Sequence, residues 1–477
     1  MKQMRKVTSP NDGTLKASKR KVLTYPLYVF CVLFAIGVLN SLNHAVLAGA
    51  ANVMSKELHL NIADIGYLSS AFIIFFTISV LPSGIWSDRA KRKTVISVAV
   101  AVWSMATALT ALASSFMILL FSRMVLGVSE AGSVPSSEAM ISDYFSRTRR
   151  ARVMSWLAAA DLIGLMMGTI IGGGVAGLYY GAWRLAFLLA VIPGLVLICI
   201  VWCLREPRRN EADEEAEQAL EDGSEMETPT HLSSLPKNVF SQFHSLLRIR
   251  TLLVLIVMQV FASFVVTGTV TYLSIFLQQR DTLGMSSAEA GLYTGLGLVL
   301  AGITGVILGG YVADWLGRRF AGARVLVCGL SFLLGAPCYC ISVLVAVNLH
   351  NLGLYSISFA ITAILLNMNT GPLMAATQDV APAALRASAV AITLFVSHIL
   401  GDAFAPSFLG WLASSFDPTG YHFAHNMAGH DLTRALIYAY PASLTLAGII
   451  GIVGSRWMKA DVAAAQRINA LSSKISN

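Results

Sequence analysis

Arg123 and Glu130 stand seven residues apart inside one long apolar stretch. Two helical turns separate them, which puts both on one face and about 10 Å apart along the axis. A guanidinium there can attract an anionic group, and a carboxyl can carry a proton. The same two groups can instead tie helices together as a structural charge pair. Asp161, His44, and the pair His398 and Asp402 raise the same choice. His398 and Asp402 are four residues apart, so one helical face carries both and they can bond each other. His44 can titrate near neutral pH, whereas its neighbour Asn43 cannot. Asn367, Asn369, Gln259, Thr267, Thr271 and Tyr272 add polar groups in other apolar stretches. Such groups line cavities or bond neighbouring helices.

These residues need a scaffold that tolerates them. The chain has 477 residues, of which 56% are hydrophobic and 13% charged. A soluble domain carries about 25% charged residues, so lipid must solvate much of this surface. A spanning helix takes about 20 apolar residues. That window predicts twelve spans, at 26–50, 64–87, 94–113, 115–141, 151–179, 184–204, 251–277, 288–313, 325–347, 352–376, 387–414 and 435–457. The net charge of +8 sits in alternate loops, around Arg89–Lys93, Arg147–Arg152 and Arg318–Arg324, and in the tail from Lys2 to Lys21. The intervening loops Ala113–Ser115, Tyr180–Trp183 and Asn348–Gly353 are nearly free of Lys and Arg. An excess of Lys and Arg marks the cytoplasmic side, which predicts both termini inside. The polar tail 1–24 does not read as a cleavable signal. Residues 205–250, acidic from Glu211 to Glu227, read as a cytoplasmic linker between halves 25–204 and 251–457, with a tail 458–477. All six cysteines lie in apolar runs, so no disulfide is expected.

One pattern occurs twice. Gly84-Ile85-Trp86-Ser87-Asp88-Arg89-Ala90-Lys91-Arg92-Lys93 follows span 2, and Gly310-Tyr311-Val312-Ala313-Asp314-Trp315-Leu316-Gly317-Arg318-Arg319 follows span 8. Position, spacing and charge order agree across 226 residues. Glycine permits close helix approach, and the aspartate can meet a helix N-terminus or an arginine of the next helix. The expected device is a cytoplasmic latch built from Gly84, Asp88, Arg89, Arg92, Gly310, Asp314, Arg318 and Arg319. Its bland counterpart is a signal that merely stops translocation.

This repeated loop resembles the signature of the major facilitator superfamily. The resemblance implies an all-α membrane protein of two six-helix bundles that alternate between inward and outward states. Ser122-Arg123-Met124-Val125-Leu126-Gly127-Val128-Ser129-Glu130-Ala131 and His398-Ile399-Leu400-Gly401-Asp402-Ala403-Phe404-Ala405-Pro406 resemble the spinster branch, whose members export lysolipids or sphingoid phosphates or are bacterial relatives without an assigned substrate. Met54-Ser55-Lys56-Glu57-Leu58 and the span 4 Arg/Glu are also similar to anion:cation symporters. The resemblance places Arg123 and Glu130 at a central cavity. It also implies an Asp-Arg pair in span 1, where this chain has Asn43-His44. The ladder Gly164, Gly168 and Gly172 resembles an antiporter motif without its proline, and close packing is its simpler role.

The resulting expectation is a secondary transporter of a small organic anion or amphiphile, coupled to protons. A lipid or drug exporter and a non-transporting membrane sensor are the alternatives. Glu130, Asp161 and His44 are the candidate proton carriers. Arg123, Asn43, Tyr272, Asn367, His398 and Asp402 are the candidate substrate ligands. The partners expected are the substrate, protons and the bilayer, and not nucleic acid. The expected setting is a bacterial inner membrane, as a monomer. Without a GxxxxGK[ST] loop or zinc-spaced Cys/His cluster, neither enzyme chemistry, a cofactor nor a metal is expected. His422, His425 and His430 read as a solvated loop.

Overall fold

The computed structural model describes residues 12–145, 147–207, 246–320, 322–382 and 385–476. The acidic run Glu211–Glu227 and the first eleven residues lie outside them. Among the described residues, twelve helices are long and apolar enough to cross a membrane, and no strand occurs. Helices satisfy every backbone polar group within one segment, which the hydrocarbon core demands.

The first half comprises α1 (Asp12–Glu57), α2 (Ile62–Arg89), α3 (Arg92–Ala111), α4 (Phe116–Tyr144), α5 (Arg147–Ala176) and α6 (Trp183–Trp202). The second comprises α7 (Arg250–Gln278), α8 (Ser287–Gly317), α9 (Ala323–Leu344), α10 (Leu352–Asn367, then Thr370–Val380), α11 and α12 (Gly429–Ser476). A π-helical turn, Val345–Leu349, extends α9. α11 has three parts: Arg386–Ser397, a π-helical turn His398–Asp402, and Phe404–Phe416. α12 starts before its expected boundary because the Asp281 carboxylate accepts from the backbone N–H groups of Gly429 and His430. It continues past 457 through helix-forming Lys, Ala and Arg, and Asp461 on it accepts from Thr251 N–H at the start of α7.

The halves pack alike. α1 on α5, α2 on α4, and α3 on α4 and α6 recur as α7 on α11, α8 on α10, and α9 on α10 and α12. Glycine makes the α1–α5 contact possible: a Cβ on Gly168 or Gly172 would come 2.5 Å from the carbonyl oxygen of Leu42 or Val46. Between halves, α5 meets α8, α2 meets α11 and α1 meets α7.

These inter-half contacts gather at one end of the molecule. Asn52 Nδ2 donates to Gln278 Oε1 at 3.0 Å and to Asn426 Oδ1 at 3.2 Å. Ala63 N–H donates to Ser414 Oγ, and Ser407 N–H to Ser70 Oγ. Tyr272 O–H, which donates to the carbonyl oxygen of Pro406 in its own half at 2.7 Å, reaches that of Ile62 across the halves at 3.4 Å. At the opposite end, where the basic loops lie, a Cβ on Gly84 or Gly310 would meet nothing within 4 Å. The chain is closed at the end away from its basic loops.

With that end open, the residues of the expected latch do not hold the two halves together. Gly84 and Gly310 are not points of close approach here. That approach occurs at neighbouring Gly309, where a Cβ would collide with the Met368 backbone. The ionic part lies within each half. Arg92 pairs with Asp143 and donates to Ala139 O at 2.7 Å. Arg324 pairs with Asp379 and stands 3.9 Å from Asp314. Arg89, Arg318 and Arg319 are exposed, with Arg319 over the Trp315 ring at 4.9 Å. The Asp88 side chain is outside the described residues.

Candidate functional site: a buried charge group between α1, α4 and α5

α4 carries the two charges that the sequence singles out. Glu130 is 0% exposed, and neither carboxylate oxygen has a hydrogen-bond partner. Arg123 is 1% exposed. Its Nη2 donates to Thr110 Oγ1 at 3.3 Å, while Nε and Nη1 have no hydrogen-bond partner. The guanidinium lies over the Phe187 ring at 5.2 Å. Arg123 thus packs towards α3 and α6, inside the first bundle. In this state its guanidinium is enclosed by the bundle rather than open to a central cavity. Its charge still acts on Glu130, as does that of Asp161.

An ionised carboxyl removed from water without hydrogen bonds loses several kcal/mol. The interior tolerates Glu130 only through a proton or through the field of Arg123. A carboxyl and a guanidinium that do not bond each other in one low-dielectric bundle form a group whose energy depends strongly on whether one proton is present.

α1 and α5 bring further polar atoms beside this group. Ser133, one turn on from Glu130, donates to the Glu130 carbonyl and accepts from Asn40 Nδ2 at 3.3 Å. Asp161 on α5 accepts from Ser41 Oγ at 3.0 Å. Asn43 is buried, with Oδ1 unpartnered. His44 is half-buried and stacks on Phe72 at 4.6 Å between ring centroids. Arg123 and, from the second half, Asp402 lie within electrostatic reach of His44.

Asp402 belongs to the π-helical turn of α11. Its Oδ2 lies 2.5 Å from His398 Nδ1, and its Oδ1 accepts from Thr267 Oγ1 at 2.5 Å. The i, i+4 pair expected from the sequence forms, and it ties α11 to α7. Inserting a residue into a helical turn re-aims the side chains around it. Ala403 N–H bonds His398 O at 2.9 Å, five residues back.

Two candidate ligands lie elsewhere. Tyr272 is 1% exposed; its hydroxyl donates to Pro406 O within the second half and reaches Ile62 O of the first half at 3.4 Å, so it packs at the seam in this state. Asn367 donates to Ala363 O in its own helix and packs against Gly305 of α8. Its amide is occupied by helix packing. The sequence reading missed Asn40, Ser41, Ser133 and Ser137. Their signal was present for the two α4 serines: positions three and seven beyond Glu130 share its helical face.

Among the described residues, Asp417, His422 and Asp431 place ligand atoms within 4.8 Å of one another near the closed end. Backbone N–H groups of Tyr421, His422 and Phe423 already occupy Asp417, and His422 Nδ1 contacts Asp431 at 2.8 Å. The three groups cap and staple a turn.

A family model described as Major Facilitator Superfamily matches residues 33–406. Protein spinster of Drosophila melanogaster is 24% identical over 413 residues, which cover 86% of this chain and 65% of the fly protein. The probable L-galactonate transporter of Escherichia coli is 27% identical over 365 residues, covering 74% of this chain and 78% of that one. A bacterial homologue of the human lysosomal transporter spinster, solved in an inward-facing, unoccupied conformation, superposes with a TM-score of 0.75 at 22% identity. The match covers 93% of this chain and 98% of that one, and it is a likeness of fold.

Proposed function

The chain belongs to the major facilitator superfamily, and from that premise we propose that it carries a small organic anion or amphiphile across the membrane by alternating access, driven by protons. It is an integral membrane transporter and not an enzyme. The observation behind the coupling is Glu130, a carboxyl with no exposed surface and no hydrogen-bond partner, inside the field of Arg123.

A proton on Glu130 removes one charge from the bundle and leaves Arg123 uncompensated. The two protonation states then favour different arrangements of α4 against its neighbours. A ligand or proton shifts a conformational equilibrium only by its different affinity for the two states, and a buried, unsolvated charge pair supplies such a difference. Arg123 acts in this scheme as the charge partner of Glu130, and an anionic substrate group senses it through the state of the bundle. His44, between the fields of Arg123 and Asp402, stands where an Asp-Arg pair is the family expectation. It links the charge state of the first half to that of the second. Asp402 and His398 are the substrate-facing candidates of the second half, since the His398 side chain remains 43% exposed. In this reading the excess of Lys and Arg puts the open end and both termini in the cytoplasm, the state is inward-facing, and the transporter works as a monomer.

The test is uptake and counterflow in proteoliposomes, with sugar acids, aromatic acids and lysolipids, with and without a proton gradient. Glu130→Gln is expected to abolish gradient-driven accumulation and preserve counterflow. Gradient-driven uptake that survives Glu130→Gln would exclude Glu130 as the carrier. Ligand binding without accumulation or exchange would reject transport in favour of a sensor.

A further inference from the structure

Beside the Glu130 group lies a cleft of about 140 Å³ between α1, α4 and α5. Its polar lining consists of Asn40, Ser133, Ser137, Glu138 and Asp161, and no basic side chain lines it among the described residues. Glu138 and Asp161 are exposed and lie within each other's electrostatic reach. Asn40 directs its Nδ2 to Ser133, which leaves the amide oxygen for the cleft. Ser41 takes Asp161 Oδ1 and leaves the second carboxylate oxygen. Ser137 is 5% exposed, and its Oγ has no hydrogen-bond partner. A buried hydroxyl without a partner beside other oxygen-bearing side chains calls for an explanation, and a bound ligand supplies one.

The available groups are therefore oxygens: two carboxylates, a hydroxyl and an amide carbonyl. Two like charges repel across a shared cleft, and a cation between them removes that repulsion. Hard oxygen sets of this kind suit hard cations. Coupling ions such as sodium are held in transporters by helix-borne oxygens within the membrane. We propose that the cleft between α1, α4 and α5 is a sodium-ion site, with Asp161, Glu138, Ser137 Oγ and Asn40 Oδ1 as ligands and water filling the remaining positions. This goes beyond the proton route through Glu130 and does not depend on it.

Binding of radiolabelled sodium to the purified full-length chain in nanodiscs, near neutral pH and with no gradient or substrate, reads the site alone. Saturable binding is expected, displaced by unlabelled sodium and not by choline. Asp161→Asn and Glu138→Gln should each weaken it by about tenfold or more, and Ser137→Ala by a few fold. Glu138 is exposed, so Glu138→Gln keeps the test available if Asp161→Asn fails to fold. Absence of saturable sodium binding overturns the proposal, as does binding unchanged by both carboxyl substitutions. Preferential binding of calcium over sodium overturns the monovalent assignment. Uptake by Glu130→Gln is measured separately under a gradient, so the two readings fail independently.

Discussion

Asn52 donates to Gln278 at 3.0 Å across the two halves, and the residues lie 226 positions apart. That is also the interval between the two copies of the loop motif at Gly84 and Gly310. Equivalent positions of a duplicated bundle can bond each other only where the pseudo-two-fold axis passes between them. The amide pair therefore marks the axis at the closed end, with Asn426 as a third member.

Removing this clamp should favour the opposite state. A neutral buried hydrogen bond contributes about 0.5–1.5 kcal/mol, so Asn52→Ala should raise the population open at that end by a few fold. Spin-label distances between α1 and α7 at that end report the change. An unaltered distance distribution would show that the clamp is not part of the seal.

The α5–α8 seam is backbone against backbone. A Cβ on Gly291 would lie 3.1 Å from Gly173 Cα, with the Thr169 carbonyl closer still. Overpacking of this kind costs about 1–3 kcal/mol. Gly291→Val should thus slow transport by roughly tenfold or more while the protein still folds, because the closed seam is penalised and the open one is not. Wild-type exchange rates in Gly291→Val would contradict a seam that closes this tightly.

Arg123 and Glu130 make no bond to each other, yet each is buried in the field of the other, so removing one charge leaves the other less compensated. Arg123→Met should lower the melting temperature in detergent strongly. Arg123→Met with Glu130→Gln should recover most of that loss, because no lone charge remains. Independent, additive losses would mean that Arg123 and Glu130 do not act as one group.

His422 sits outside the spans, and its hydrogen bond to Asp431, aided by the charges of Asp431, Asp417 and Asp281, raises its pKa above the usual value. A raised folded value means that the charged ring stabilises the fold. That contribution is present in full below about pH 6.5, the unfolded value, and is lost as pH rises through the raised folded value. Protease resistance of the loop between α11 and α12 should fall over that window. Asp431→Asn should flatten the profile, and a profile unchanged by it would remove His422 as the cause.

Twelve apolar stretches, alternating basic loops and a motif repeated at 226 residues were legible in the sequence, because bilayer thickness and charge exclusion act on local composition. The His398–Asp402 pair was legible too, since helical spacing brings i and i+4 together. What Arg123 faces was not. Residue spacing puts it on the face of Glu130, but the packing of α3 and α6 turns the guanidinium into the bundle, onto Thr110 and Phe187. Tyr272 read as a cavity residue and became part of the seal, because the end at which two bundles close depends on their relative tilt. The cleft was equally hidden: Asn40, Ser137, Glu138 and Asp161 come from three helices up to 121 positions apart in the chain. Composition fixes which segments enter the bilayer, whereas the lateral packing of helices decides which polar atoms find partners and which, like Glu130 and Ser137, are left without one.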